Sequence, residues 1–136
     1  MTDLFSSWDV GEGYGILIQS FKCESAVTKG QLVVADTHTA GEYVSVSTAG
    51  ADAVDVIGVA LASGSASEYI PVMLIGIVKV TASGAITAGE KVISAASGAV
   101  AAYPASPSAG DEEKIVGRAL QDFADGDTGL ILVGSI

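Results

Sequence analysis

The sequence predicts a small all-β domain, either a sandwich or a barrel-like body with little helix. Three observations carry that prediction. Apolar runs of strand length alternate with Gly-, Ser- and Asp-containing turns, helix signals are scarce, and one unit of turns and strands is written twice.

Nine strands follow in order, at residues 15–22, 31–35, 43–47, 55–61, 69–80, 91–95, 99–103, 114–121 and 129–134. The second and sixth are launched by matching turns, Thr28-Lys29-Gly30-Gln31 and Thr87-Ala88-Gly89-Glu90. In each, glycine holds the third position, where a type II turn needs positive φ. The fifth is a long run that is apolar on both faces: Ile70, Val72, Leu74, Val78 and Val80 on one, Met73, Ile75 and Ile77 before Lys79 on the other. Such a run reads either as a central strand of a two-layer body or as a strand with one face against another subunit. The last two strands flank the polar stretch 121–128 as a hairpin. Residues 94–102 are Ala-rich, but Ser97-Gly98 interrupts them at hairpin spacing and Pro104 and Pro107 close them off, which leaves room for at most a short helical turn.

The doubled unit sets the organisation. Ala26-Val27-Thr28-Lys29-Gly30-Gln31-Leu32-Val33-Val34 matches Ala85-Ile86-Thr87-Ala88-Gly89-Glu90-Lys91-Val92-Ile93, with Gly30 and Gly89 standing 59 residues apart. Val56-Ile57-Gly58-Val59-Ala60-Leu61 matches Ile115-Val116-Gly117-Arg118-Ala119-Leu120 at the same offset. A third match, Leu74-Ile75-Gly76 with Leu132-Val133-Gly134, lies at 58 and implies one residue deleted within 121–129. The expected organisation is an N-terminal arm and first strand at residues 1–25, with no copy, then a duplicated body at 26–136 with units of about 26–84 and 85–136.

Composition excludes several function classes. A length of 136 residues with 49% hydrophobic content suits one domain with its own core. Sixteen acidic residues against six basic ones give a formal charge of −10, which repels a phosphate backbone, so nucleic acid is not an expected partner. Residues 70–80 are half a membrane span and contain Pro71 and Lys79, and the N-terminus lacks the pattern of an export signal, so no membrane partner is expected.

Candidate chemistry is sparse. His38, the single histidine, reads as a solvated loop residue, and no strained nucleophile elbow accompanies it. Cys23, alone and within an alternating stretch, reads as a strand position. Asp122, Asp125 and Asp127 form an acidic loop without the rest of an EF-hand and read as a solvated turn. Gly11-Glu12-Gly13-Tyr14-Gly15 lacks dinucleotide-fingerprint spacing and reads as a flexible joint. No catalytic residue, metal ligand or cofactor is expected. The anchors for a contact surface are instead Leu4, Phe5, Trp8 and Tyr14, which stand among Ser, Asp and Gly in the arm.

These repeated segments, together with Gly76-Ile77-Val78-Lys79-Val80 leading into Gly84-Ala85-Ile86-Thr87-Ala88-Gly89-Glu90, resemble the head decoration or capsid cement proteins of tailed bacteriophages. The resemblance covers residue 26 to the C-terminus. It implies a β-tulip-like domain on the outer surface of the virion capsid, made in the host cytoplasm. It also implies a homotrimer that binds the major capsid protein and locks neighbouring capsid subunits, without catalysis, its N-terminal arm pairing with a capsid strand. Two other β architectures compete. A biotinyl- or lipoyl-carrier-like domain needs a lysine exposed in a tight hairpin, and neither Lys79 nor Lys91 suits. A carbohydrate-binding module or β-barrel enzyme needs convergent polar or aromatic groups, and four tyrosines and one tryptophan are spread along the chain.

Overall fold

The computed structural model describes residues 14–36 and 44–134. Nine strands form one sheet that closes on itself. They are β1 (Tyr14–Cys23), β2 (Leu32–Asp36), β3 (Ser45–Thr48), β4 (Val56–Ala60), β5 (Tyr69–Thr81), β6 (Lys91–Ser94), β7 (Val100–Ala102), β8 (Ile115–Ala119) and β9 (Thr128–Val133). Their order is β1-β3-β2-β4-β5-β9-β8-β6-β7, and β1 also pairs with β5, so the first five close into a barrel. The all-β, barrel-like prediction holds, and each of the nine predicted strands has its counterpart. Past β5 the sheet turns a second ring, through β9, β8, β6 and β7, and a parallel bridge from Ala82 to Val100 brings β7 back to the end of β5.

The turns are built alike in the two halves. Gly30 and Gly89 both have φ of 90°, and Gln31 and Glu90 each donate a backbone N–H to the carbonyl three residues back. Each of these residues also closes its turn with its side chain, since Gln31 Oε1 accepts from Thr28 N at 2.8 Å and Glu90 Oε1 from Thr87 N at 2.6 Å. A second cross-link recurs in each half. Ser63 Oγ accepts from Lys29 N at 2.9 Å, and Asp122 Oδ1 accepts from Ala88 N at 2.8 Å.

The strand pairings keep one offset of 59 where sequence comparison implied a deletion. Val59 pairs with Met73 and Ala60 with Val72, while Arg118 pairs with Leu132 and Ala119 with Ile131. Leu132 therefore stands where Met73 does, and no residue is missing from 121–129. The hairpin is held at constant length because Glu68 closes on Ser65 N and Asp127 closes on Ala124 N in the same way. Length differs elsewhere: the hairpin joining β6 and β7 is shorter than that joining β2 and β3, and the connection 103–114 is longer than 49–55. The same pairing offset extends to the first strand. Lys22 faces Tyr69 and Phe21 faces Ile70, as Thr81 faces Thr128 and Val80 faces Gly129, so β1 stands to β5 as β5 stands to β9.

Each ring has its own interior. Cys23, Val27, Val33, Val46, Ala60, Ile70 and Val72 fill the first. Ala82, Ile86, Val92, Val100, Ala119, Phe123 and Ile131 fill the second, joined by Leu32, Val59 and Met73 from the outer face of the first half. One exchange of bulk keeps both filled. Gly64 lies against Ile70 in the first ring, where an added Cβ would meet the Ile70 side chain at 2.6 Å. In the second ring Phe123 holds the place of Gly64 and Gly129 that of Ile70, and a Cβ on Gly129 would meet the Phe123 ring at 2.8 Å.

Among the described residues there are also two 3-10 turns. One spans Ala96–Gly98, in the stretch where the sequence left room for a short turn. The other, Asp111–Lys114, lies outside that stretch, and its signal was local: Asp111 accepts from Ser108 N at 2.7 Å and pairs with Lys114 at 2.9 Å. The backbone N–H and then the ammonium hold the Asp111 carboxyl below the usual range. Lys114 also reaches Asp52 of the first half at 3.8 Å. Nearby, the buried Ser94 hydroxyl donates to Gly50 O and accepts from Ala53 N, which stitches the halves together.

The exchange of bulk predicts non-additive stability. Phe123→Ala should cost about 3–5 kcal/mol by opening a cavity. Gly129→Ile should also destabilise the protein, by forcing the Phe123 ring aside. The double variant Phe123→Gly, Gly129→Ile, which copies the first ring, should lose at least about 1 kcal/mol less than the sum of its single changes in urea unfolding. Simple additivity would contradict this packing.

Candidate functional site

Of the residues singled out as contact anchors, Leu4, Phe5 and Trp8 lie outside the described residues, as do His38 and Gly11-Glu12-Gly13. Tyr14 opens β1, its backbone paired with Ile77. From there to Lys22, β1 pairs with β5 along one edge, and only Lys22 and Cys23 pair with β3 along the other. Among the described residues no strand pairs with the rest of that edge. Residues 17–20 are all exposed, Leu17 and Ile18 among them, and the register shifts on both sides of Leu17. An edge of this kind presents backbone donors and acceptors to an incoming strand.

Among the described residues, Cys23 and the acidic loop are tied up in structure. Cys23 is fully buried, and burial, with the Glu68 carboxylate second, pushes its thiol above the usual range, which disfavours the nucleophilic thiolate. In the acidic loop Asp122 accepts from Ala88 N, Asp125 from Gly84 N and Asp127 from Ala124 N, so its three carboxylates serve as turn acceptors. Among the described residues no three His, Cys, Asp or Glu side chains gather as a metal site would require. Nor is any helix among them long and apolar enough to cross a membrane.

The outer face of the second half has a distinct chemistry. Residues paired across an antiparallel sheet share a face, so Lys91, Arg118, Leu132 and Ile77 form one row and Lys79 and Leu130 the next. Lys91 lies over the Tyr103 ring at 5.9 Å, Arg118 donates to Gly89 O at 2.9 Å, and Leu120 is 45% exposed beside them. The turn carrying Lys29 lies against this face, where Gly30 approaches Lys79 O, and a groove of about 240 Å³ there is lined by Lys29, Lys79, Thr81 and Thr128. Four of the six basic residues thus lie on or beside one face. Sequence reading missed this because the basic residues are scattered along the chain and only the pairing register assembles them. A second groove, about 160 Å³, is lined by matching residues of both halves: Val56 and Ile115, Ile57 and Val116, Leu74 and Val133.

Two β-rings fused through β5 define an all-β module. The chain belongs to the phage cement protein family, whose profile matches residues 14–135. Membership makes it a phage structural protein associated with the capsid. The fold is similar to that in the crystal structure of the N base of head fiber gp8.5 in bacteriophage phi29, with a TM-score of 0.67 at 14% identity over 86% of this chain and 92% of that one. No curated protein matches the chain.

The buried thiol gives a pH signature. Because folding raises the Cys23 pKa, its contribution is fully present below the ordinary thiol range and is lost as pH rises through that range and beyond. Between pH 7 and pH 10 the urea midpoint of the natural protein should fall further than that of Cys23→Ala. Equal falls would contradict the account.

Proposed function

We propose that this protein sits on the outer surface of a phage capsid, binds the major capsid protein and stabilises the shell by bridging neighbouring capsid subunits. It acts as a homotrimer, without catalysis and without a cofactor, and is made in the host cytoplasm. The observation that carries this reading is the family match, which spans all of both rings.

The segment 1–14 supplies part of the capsid contact, through Leu4, Phe5, Trp8 and Tyr14. Support comes from its position: it leads straight into β1, whose outer edge and Leu17 and Ile18 side chains are open to a partner. Bridging several subunits at once lets modest contacts act together, since each bound site raises the effective concentration at the next. The body consists of two units, residues 14–74 and 73–133, that overlap within β5. The recurrence of turns and pairings at a constant offset favours these bounds over 26–84 and 85–136.

The test uses expanded capsids lacking the protein. Added full-length chain should co-sediment with them in fixed stoichiometry and raise the temperature at which they rupture. Deleting residues 1–13 should leave a folded body that binds at least tenfold more weakly. Failure of the full-length protein to bind would overturn the reading. Undiminished binding by the truncated chain would remove the arm from it.

A further inference from the structure

The same face of the sheet has opposite fates in the two halves. In the first half, Leu32, Val59 and Met73 form a row that is fully buried because the second half covers it. In the second half, the row is Lys91, Arg118 and Leu132, of which Lys91 and Arg118 are exposed and Leu132 half-buried. A face that is an interface inside the chain therefore recurs at the surface, with two apolar residues replaced by basic ones and Leu120 exposed beside them.

We infer that this basic face, with Lys79, Lys91, Arg118 and Leu120 as its contacts, docks on a second copy of the same chain. Charge decides the occupant. With Lys29, Lys79, Arg118 and Lys91 gathered on or beside one face, Lys22 and Lys114 are the other basic residues of a chain that carries sixteen acidic ones, and Lys114 is already paired with Asp111. The remainder of another copy thus carries a net negative charge that attracts it. Glu90 and Asp122, next in sequence to Lys91 and two residues from Leu120, are engaged with the turn amides of Thr87 and Ala88.

The patch that fits on the second copy lies at the other end of the sheet order. There Tyr69 is 52% exposed and Val44 is 43% exposed, with the exposed carboxylates Glu24 and Glu68 beside them and Lys22 half-buried between. Lys22 N donates to Val44 O and Cys23 N to Glu68 O, so these residues share one rim. Apolar side chains with carboxylates at one end meet apolar side chains with ammonium and guanidinium groups at the other. Contact between two different patches is heterologous and closes into a ring when the rotation allows it, which gives the trimer stated above a specific interface.

The experiment measures the mass of the full-length protein in solution by sedimentation, without capsids, at low and high salt. The natural protein should form a closed oligomer that dissociates as salt rises. Lys91→Glu with Arg118→Glu should raise the dissociation constant at least tenfold, and so should Glu24→Lys with Glu68→Lys. A chain carrying all four changes should assemble again, because both patches are reversed together. A natural protein that is monomeric at all salt concentrations would overturn the inference. So would an oligomer indifferent to Lys91→Glu with Arg118→Glu, or a fourfold variant that stays monomeric. Capsid binding is measured separately, so its failure would remove the capsid reading and leave this interface standing.

Discussion

The rest of the structure depends on β5 belonging to both rings. It is thirteen residues long, and it closes the first barrel against β1 and β4 and opens the second against β9. Ile70 and Val72 point into the first interior, while Val78 and Val80 point into the second. Strict alternation would put one face of such a strand in solvent. Here Val72 and Met73 are adjacent and both fully buried, because Met73 turns toward the second half at the point where the strand leaves the first. This bears on a run that is apolar on both faces: the strand is central, with Ile70, Val72, Met73, Val78 and Val80 in cores of the same chain, while Ile77 and Lys79 stay half-buried on the outer face.

That arrangement explains why the halves can diverge at the surface while keeping their turns. The turn glycines and the side-chain acceptors that close the turns fix where each strand begins. The interior residues need only conserve volume, as the exchange between Gly64 with Ile70 and Phe123 with Gly129 shows. The outer row is free of both constraints in the second half, where lysine and arginine replace leucine and valine. A repeat at the end of a stack commonly carries such a polar outer face.

Much of the fold was legible because strand-length apolar runs and turn glycines are local signals. The nine strands and the Thr-x-Gly turns could be read directly. The place of β1 could not, since its likeness to the second half of β5 is one of pairing register and rests on few shared residues. The 58-residue match of Leu74-Ile75-Gly76 misled for the converse reason: similar letters occupy different rungs of the ladder. The candidate surfaces divided along the same line. Leu4, Phe5 and Trp8 stood out by composition, whereas Lys79, Lys91 and Arg118 become one face only when β5, β9, β8 and β6 lie side by side.

A cement protein needs surfaces that hold neighbours, and a rigid body that keeps those surfaces at fixed separation. Two rings welded through one strand, with Lys114 and Ser94 stitching across them, supply the rigidity. The most direct test of the central claim is a density map of the phage capsid with the protein bound. The account predicts density for the two-ring body on the outer surface, over the junctions between capsid subunits, with each copy touching more than one of them. Density confined to a single capsid subunit, or lying inside the shell, would contradict it.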